Sequence, residues 1–174
     1  MPSSKIYAPS SAFEDAVYLF EPWPKYLNGK DHSGIDIYAQ KYKKHKPVAT
    51  EPGKVIKIFK GSSKRVSFLE LEGEATGTIV IYKHLQTILK VGDKIDAGQL
   101  LGTLDDSGKD AGYWGGYHVH FQVRMLNEGK ENDPVKYLLD LMPKIKWFMR
   151  DKVLKVYKDR EYFSMMNIKP RPWE

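Results

Sequence analysis

Between about residue 30 and residue 126, glycine interrupts the chain at short intervals, at Gly53, Gly61, Gly73, Gly77, Gly92, Gly98, Gly102 and Gly108. The segments left between these breaks are short apolar or alternating runs: Val55–Phe59, Val66–Leu71, Thr78–His84, Gln99–Leu104 and His118–Met125. Runs of this length suit strands, and the frequent glycine breaks suggest turns of an antiparallel sheet or barrel rather than strand–helix–strand units. The expected fold class is therefore mainly β: an antiparallel, barrel-like sheet, with helix confined to a short C-terminal piece.

The flanks read differently. Residues 1–29 are rich in Pro, Ser and aromatics and suggest an arm lying on the domain, with at most a helical turn near Ala12–Leu19. No apolar stretch follows Met1, so no secretory signal is expected. Asp133-Pro134 forms a good helix start, with Leu138, Leu139 and Leu141 following and Pro143 as the stop. Beyond it, Ile145–Met149 and Val153–Tyr157 could pair as a hairpin around Asp151-Lys152. The chain thus divides into an arm (1–29), a main unit (30–140) and an extension (141–174) packed back through Trp147, Phe148, Tyr157 and Tyr162.

At 174 residues, 41% of them hydrophobic, the chain can build one core. No apolar run is long enough to cross a membrane as a helix. The net charge of +6 favours polyanions in general. The cations are dispersed, so a solvated basic surface is expected rather than a nucleic-acid site. Cysteine is absent, which excludes disulfides, thiolate metal sites and cysteine nucleophiles. Any metal must be held by His, Asp or Glu.

The five histidines are His32, His45, His84, His118 and His120. On a strand, side chains alternate, so His118, His120, Gln122 and Arg124 share one face and Val119, Phe121, Val123 and Met125 the other. The second set belongs on a core. The first presents two imidazoles about 7 Å apart toward a groove, which is hard to explain as packing. In His32-Ser-Gly-Ile-Asp36, Ile35 and Ile37 read as core and Asp36 as facing away from it. A straight strand would separate His32 from Asp36 by about 13 Å, and Gly34 offers a bend that closes the gap. His84 ends the run Thr78–Lys83 and so stands at a rim. A His, His, Asp set without cysteine suits zinc with three protein ligands and an open fourth position, the arrangement of catalytic zinc.

In order along the chain come His32-Ser-Gly-Ile-Asp36, Glu51-Pro-Gly-Lys-Val55, Gly77–Leu85 with its Tyr82-Lys-His84-Leu, Val91–Gly102, and Gly116-Tyr-His118-Val-His120-Phe121. Together these resemble the lysostaphin/LytM-type zinc metallopeptidases over roughly residues 30–140. The resemblance implies an endopeptidase acting on peptide stems or cross-bridges of bacterial peptidoglycan, in the envelope or outside the cell. It implies Zn2+ held by His32, Asp36 and His120, with His84 and His118 as catalytic histidines. The partner would be anionic cell wall, with no nucleic acid and no membrane span, and the protein a monomer.

Tyr117 stands where the family usually has proline, and the segment Asp106–Gly116 is longer than usual. Its Tyr113 and Trp114, with Tyr117, either line the groove or pack a loop. His45, in a lysine-rich stretch, reads as solvated surface or as a contact for an anionic wall polymer. Two other readings compete: a family member without catalysis that serves as scaffold or activator, and a biotin/lipoyl-type carrier suggested by Val91–Gly102. The carrier lacks the exposed hairpin lysine it would need.

Overall fold

The computed structural model describes residues 9–10, 16–19, 34–39, 44–112, 116–125, 131–132, 134, 137, 148–150 and 153–155. Its strands are β1 (Ala16–Leu19), β2 (Ile35–Ala39), β3 (Gly53–Phe59), β4 (Phe68–Gly73), β5 (Thr78–Lys83), β6 (Leu85–Gln86), β7 (Lys94–Ile95), β8 (Thr103–Leu104), β9 (Val119–Met125), β10 (Glu131–Asn132), β11 (Phe148–Arg150) and β12 (Val153–Lys155). Ten of them form one antiparallel sheet in the order β11-β12-β1-β2-β9-β5-β4-β3-β7, with β10 also on β9. The remaining pair, β6 and β8, forms a second small sheet. The glycine-punctuated runs thus become the central strands, as their alternation requires.

Alternation also decides which face carries the core. Ile35 and Ile37 of β2, Val119, Phe121 and Val123 of β9, Val80 and Tyr82 of β5, and Leu69 and Leu71 of β4 are fully buried together. Tyr82 meets Phe121 edge-on at 5.5 Å, an arrangement favoured by the ring quadrupoles. The intervening residues of β2 and β9, Asp36, His120 and Gln122, face the other way. Met125, expected with the core set, is 39% exposed because β9 has run to the margin of the sheet by that point.

Three expectations change or sharpen at the flanks. The segment Ala16–Leu19 is a strand, not a helical turn: pairing with β2 on one side and β12 on the other overrides a weak local preference. The hairpin around Asp151-Lys152 is present as β11 and β12, in the register Phe148↔Lys155 to Arg150↔Val153. Pro134 and Tyr137 are helical and buried, while Leu138, Leu139, Leu141, Trp147, Tyr157 and Tyr162 lie outside the described residues.

Glu51, read only as part of a motif, proves to be a fully buried carboxylate. It accepts hydrogen bonds from Ala75 N (3.0 Å), Thr76 N (3.1 Å), Thr76 Oγ1 (2.9 Å) and the Tyr137 hydroxyl. These ties fasten the β4–β5 turn and the helical residue Tyr137 to the loop before β3. Burial, followed by the charge of Glu51, pushes the Tyr137 hydroxyl pKa well above its usual value.

Candidate active site

Three neighbouring strands converge on the face opposite the core. Asp36 of β2 lies directly across from His120 of β9, and Lys83 at the end of β5 lies across from His120 on its other side. His118 sits one residue before β9, and His84 one residue after β5. Asp36 (7% exposed), His84 (5%), His118 (4%) and His120 (5%) are all nearly buried. The open groove expected from alternation is therefore roofed at this point, in part by Tyr38, whose ring stacks on His118 at 4.9 Å.

The contacts orient each ring. Asp36 Oδ1 is 3.0 Å from His120 Nδ1 and 3.7 Å from His118 Nε2. His120 Nε2 lies 3.3 Å from Gln122 Oε1, so acceptor oxygens flank the ring on both sides. His118 Nδ1 is 2.6 Å from the carbonyl oxygen of Gly116. That oxygen can only accept, so Nδ1 carries the hydrogen and Nε2 faces Asp36. The His84 ring packs against His118 at 4.4 Å. Burial, and then the neighbouring His118 and His120, lower the His84 pKa to about 3, with Asp36 opposing. His84 is thus neutral at any physiological pH. Its Nδ1 is buried without a well-formed hydrogen bond among the described residues, although the Ser107 backbone lies near enough to favour the proton slightly.

Backbone geometry at two positions makes this arrangement possible. His84 has φ of +63°, the only positive value among described non-glycine residues, which costs about 1–3 kcal/mol. It turns the chain from β5 in the large sheet to β6 in the small one. Gly34 forms a bend at the entry to β2, as expected, and has a second role. A Cβ there would overlap the carbonyl oxygen of Phe121 and stand 3.0 Å from His120 Nε2, so only glycine lets β2 approach β9 this closely.

Of the residues expected at the site, Asp36, His84, His118 and His120 are brought together, and His32 lies outside the described residues. Among the described residues no set of three or more His, Asp or Glu is arranged as a metal site. Two of the expected three donors, Asp36 Oδ1 and His120 Nδ1, do stand at the separation that neighbouring ligands of one ion have, which fits a shared cation. His45 departs from its expected role: it is 3% exposed, with Nδ1 bonded to Ser10 Oγ. Tyr117 is partly buried against the core beneath Lys44 Nζ, 4.9 Å from the ring centre; Tyr113 and Trp114 lie outside the described residues. Tyr38 was missed, although its alternation with Asp36 on β2 places it on the same face.

Residues 30–134 match the family model described as Peptidase family M23. The glycyl-glycine endopeptidase ALE-1 of Staphylococcus capitis is 33% identical over 129 residues, which is 70% of this chain and 33% of that protein. The chain therefore spans about a third of the length of this curated relative. In structure it resembles the catalytic domain of lysostaphin from Staphylococcus simulans (TM-score 0.54, 25% identity, 72% of this chain and 92% of that one). It also resembles the catalytic domain of the prophage-encoded M23 protein EnpA from Enterococcus faecalis (TM-score 0.54, 28% identity, 77% and 95%).

Proposed function

The chain belongs to peptidase family M23, and from that premise we propose that it is a zinc-dependent endopeptidase that hydrolyses peptide bonds in the stems or cross-bridges of bacterial peptidoglycan. The observation that carries the reading is the meeting of Asp36, His120, His118 and His84 from three strands on one polar face, with Asp36 Oδ1 and His120 Nδ1 3.0 Å apart. His32, Asp36 and His120 would hold the ion. Zinc bound there would supply a Lewis acid for the scissile carbonyl and lower the pKa of an attacking water.

The chain's own residues do the rest. His118 is held by the Gly116 carbonyl with Nε2 toward the site, so it takes the proton of the attacking water and returns it to the departing amine. His84 stays neutral through burial and offers an N–H to the oxygen that gains charge. Tyr38, stacked on His118, limits the ring to one orientation. The peptidase unit is assigned to residues 30–140, with the arm and extension joined to its sheet through β1 and β12. A basic surface suits an anionic wall, and the place of action is the envelope or the outside of the cell, as a monomer. Among the described residues, no helix is long and apolar enough to cross a membrane.

Digestion of purified sacculi from several bacteria, with mass spectrometry of the products, tests the reading and identifies the bond. The expected result is chelator-sensitive release of peptide fragments, lost in His84→Ala and His118→Ala variants that still carry zinc. Full hydrolysis by both variants would overturn the assigned roles. No release by the unaltered chain would favour a scaffold or activator.

A further inference from the structure

We propose that Asp105 is a positioning residue for His84, fixing the corner of the chain that carries this imidazole; the role rests on the reading of His84 as catalytic. The left-handed backbone of His84 is held through both of its polar groups. Its N–H donates to the Ser67 carbonyl at 3.0 Å, and its carbonyl accepts the Asp105 N–H at 2.9 Å. Nothing in the His84 side chain enforces this conformation, so the neighbours on either side must.

Those neighbours are tied to one carboxylate. Ser67 Oγ donates to both Asp105 oxygens, at 3.2 and 3.1 Å. The Ser107 N–H donates to Oδ1 at 3.0 Å, and Gln86 Nε2 donates to Oδ2 at 2.5 Å. Ser107 Oγ closes the circuit: it accepts the Ser67 N–H at 2.8 Å and donates to Ser67 Oγ at 2.9 Å. Gln86 is held in turn by the Lys60 carbonyl at 3.1 Å. Asp105 therefore joins the segment before β4, strand β6 and the loop after β8, which are the three pieces of chain surrounding His84. A hydrogen-bonded carboxylate at such a junction fixes relative position far better than apolar packing, because each donor is directional. The ring it serves lies 4.4 Å from His118, where a displacement of about 1 Å is enough to lower a rate roughly 100-fold.

The test compares Asp105→Ala, Asp105→Asn and Asp106→Ala in the full chain. Asp106 is the adjacent control, its carboxylate bonded to the exposed Lys109 at 2.8 Å. In Asp105→Ala, kcat on peptidoglycan falls about 10- to 100-fold with KM and zinc content unchanged. Asp105→Asn keeps an oxygen for Ser67 and Ser107 but loses the acceptor for Gln86, so it recovers part of the loss, and Asp106→Ala matches the unaltered chain. The His84 ring resonances, followed by NMR, shift in Asp105→Ala and return part of the way in Asp105→Asn. A soluble Asp105→Ala chain with unchanged kcat and unmoved His84 resonances would overturn the proposal, as would a loss of zinc and activity together that asparagine fails to restore. Gln86→Leu, which removes a single donor, covers the case in which Asp105→Ala does not fold: a smaller fall in kcat supports the role, and none refutes it. An unaltered chain inactive on peptidoglycan removes the endopeptidase reading, while the resonances still decide the role of Asp105.

Discussion

Gly34→Ala adds one methyl group just before β2, against the backbone of β9, and its consequences follow from distance alone. The new Cβ would overlap the Phe121 carbonyl oxygen and stand 3.0 Å from both the Phe121 carbonyl carbon and His120 Nε2. Carbon contacts settle near 3.5–4.0 Å, so the strands must part by about 0.5–1 Å at this end. Most of the obstruction is main chain inside a sheet, which no rotamer change relieves. Overpacking of this kind costs about 1–3 kcal/mol. The strain falls on the strand pair that sets the 3.0 Å separation of Asp36 and His120, so zinc affinity drops roughly 10- to 100-fold as well. Urea unfolding and competition with a chromophoric chelator measure the two effects. Gly77→Ala is the control: a methyl there meets nothing within 4 Å, although φ is +65°, so about 1 kcal/mol is lost with zinc affinity unchanged. A Gly34→Ala chain with wild-type unfolding and wild-type zinc affinity would refute the reasoning.

Other perturbations have equally definite outcomes. The folded-state pKa of His84, about 3, lies below its ordinary value of 6.5, so between these values only the unfolded chain binds the proton. His84 therefore stabilises the fold fully above about pH 6.5, and metal-free protein loses about 3 kcal/mol on acidification to about pH 4. Urea titrations across this range check it, and an identical pH slope in His84→Asn would contradict it. Because asparagine tolerates the left-handed region and β-branched residues do not, His84→Val should be about 1–2 kcal/mol less stable than His84→Asn; equal unfolding midpoints would argue against the strained corner. Tyr137→Phe removes one donor from the buried Glu51 carboxylate and should cost about 1–3 kcal/mol by chemical denaturation, whereas an unchanged midpoint would mean that the network contributes nothing.

Period-two alternation separated core from site before any coordinates: it placed Ile35 and Ile37 on one side of β2 with Asp36 on the other, and did the same for Val119, Phe121 and His120 on β9. The glycine spacing marked the turns, and even the weakly patterned β11–β12 hairpin was legible. What escaped was whatever depends on contacts between segments distant in the chain. β1 is a strand because β2 and β12 flank it. His45 is buried because Ser10 folds over it, which its lysine-rich neighbours disguise. Gly34 reads locally as a bend, which it is, but its second constraint is the closeness of Phe121, 87 positions away. The Asp105 and Glu51 networks left little local signal, since most of their donors come from segments distant in the chain that only the fold brings together.

The central claim, that Asp36 and His120 share one ion with His32, is tested most directly by zinc stoichiometry on the purified chain and its single variants. The account predicts one zinc per chain, lost or greatly weakened in His32→Ala, Asp36→Ala and His120→Ala and retained in His84→Ala and His118→Ala. An unaltered chain that binds no zinc, or one that keeps it after Asp36 and His120 are replaced, would contradict the account.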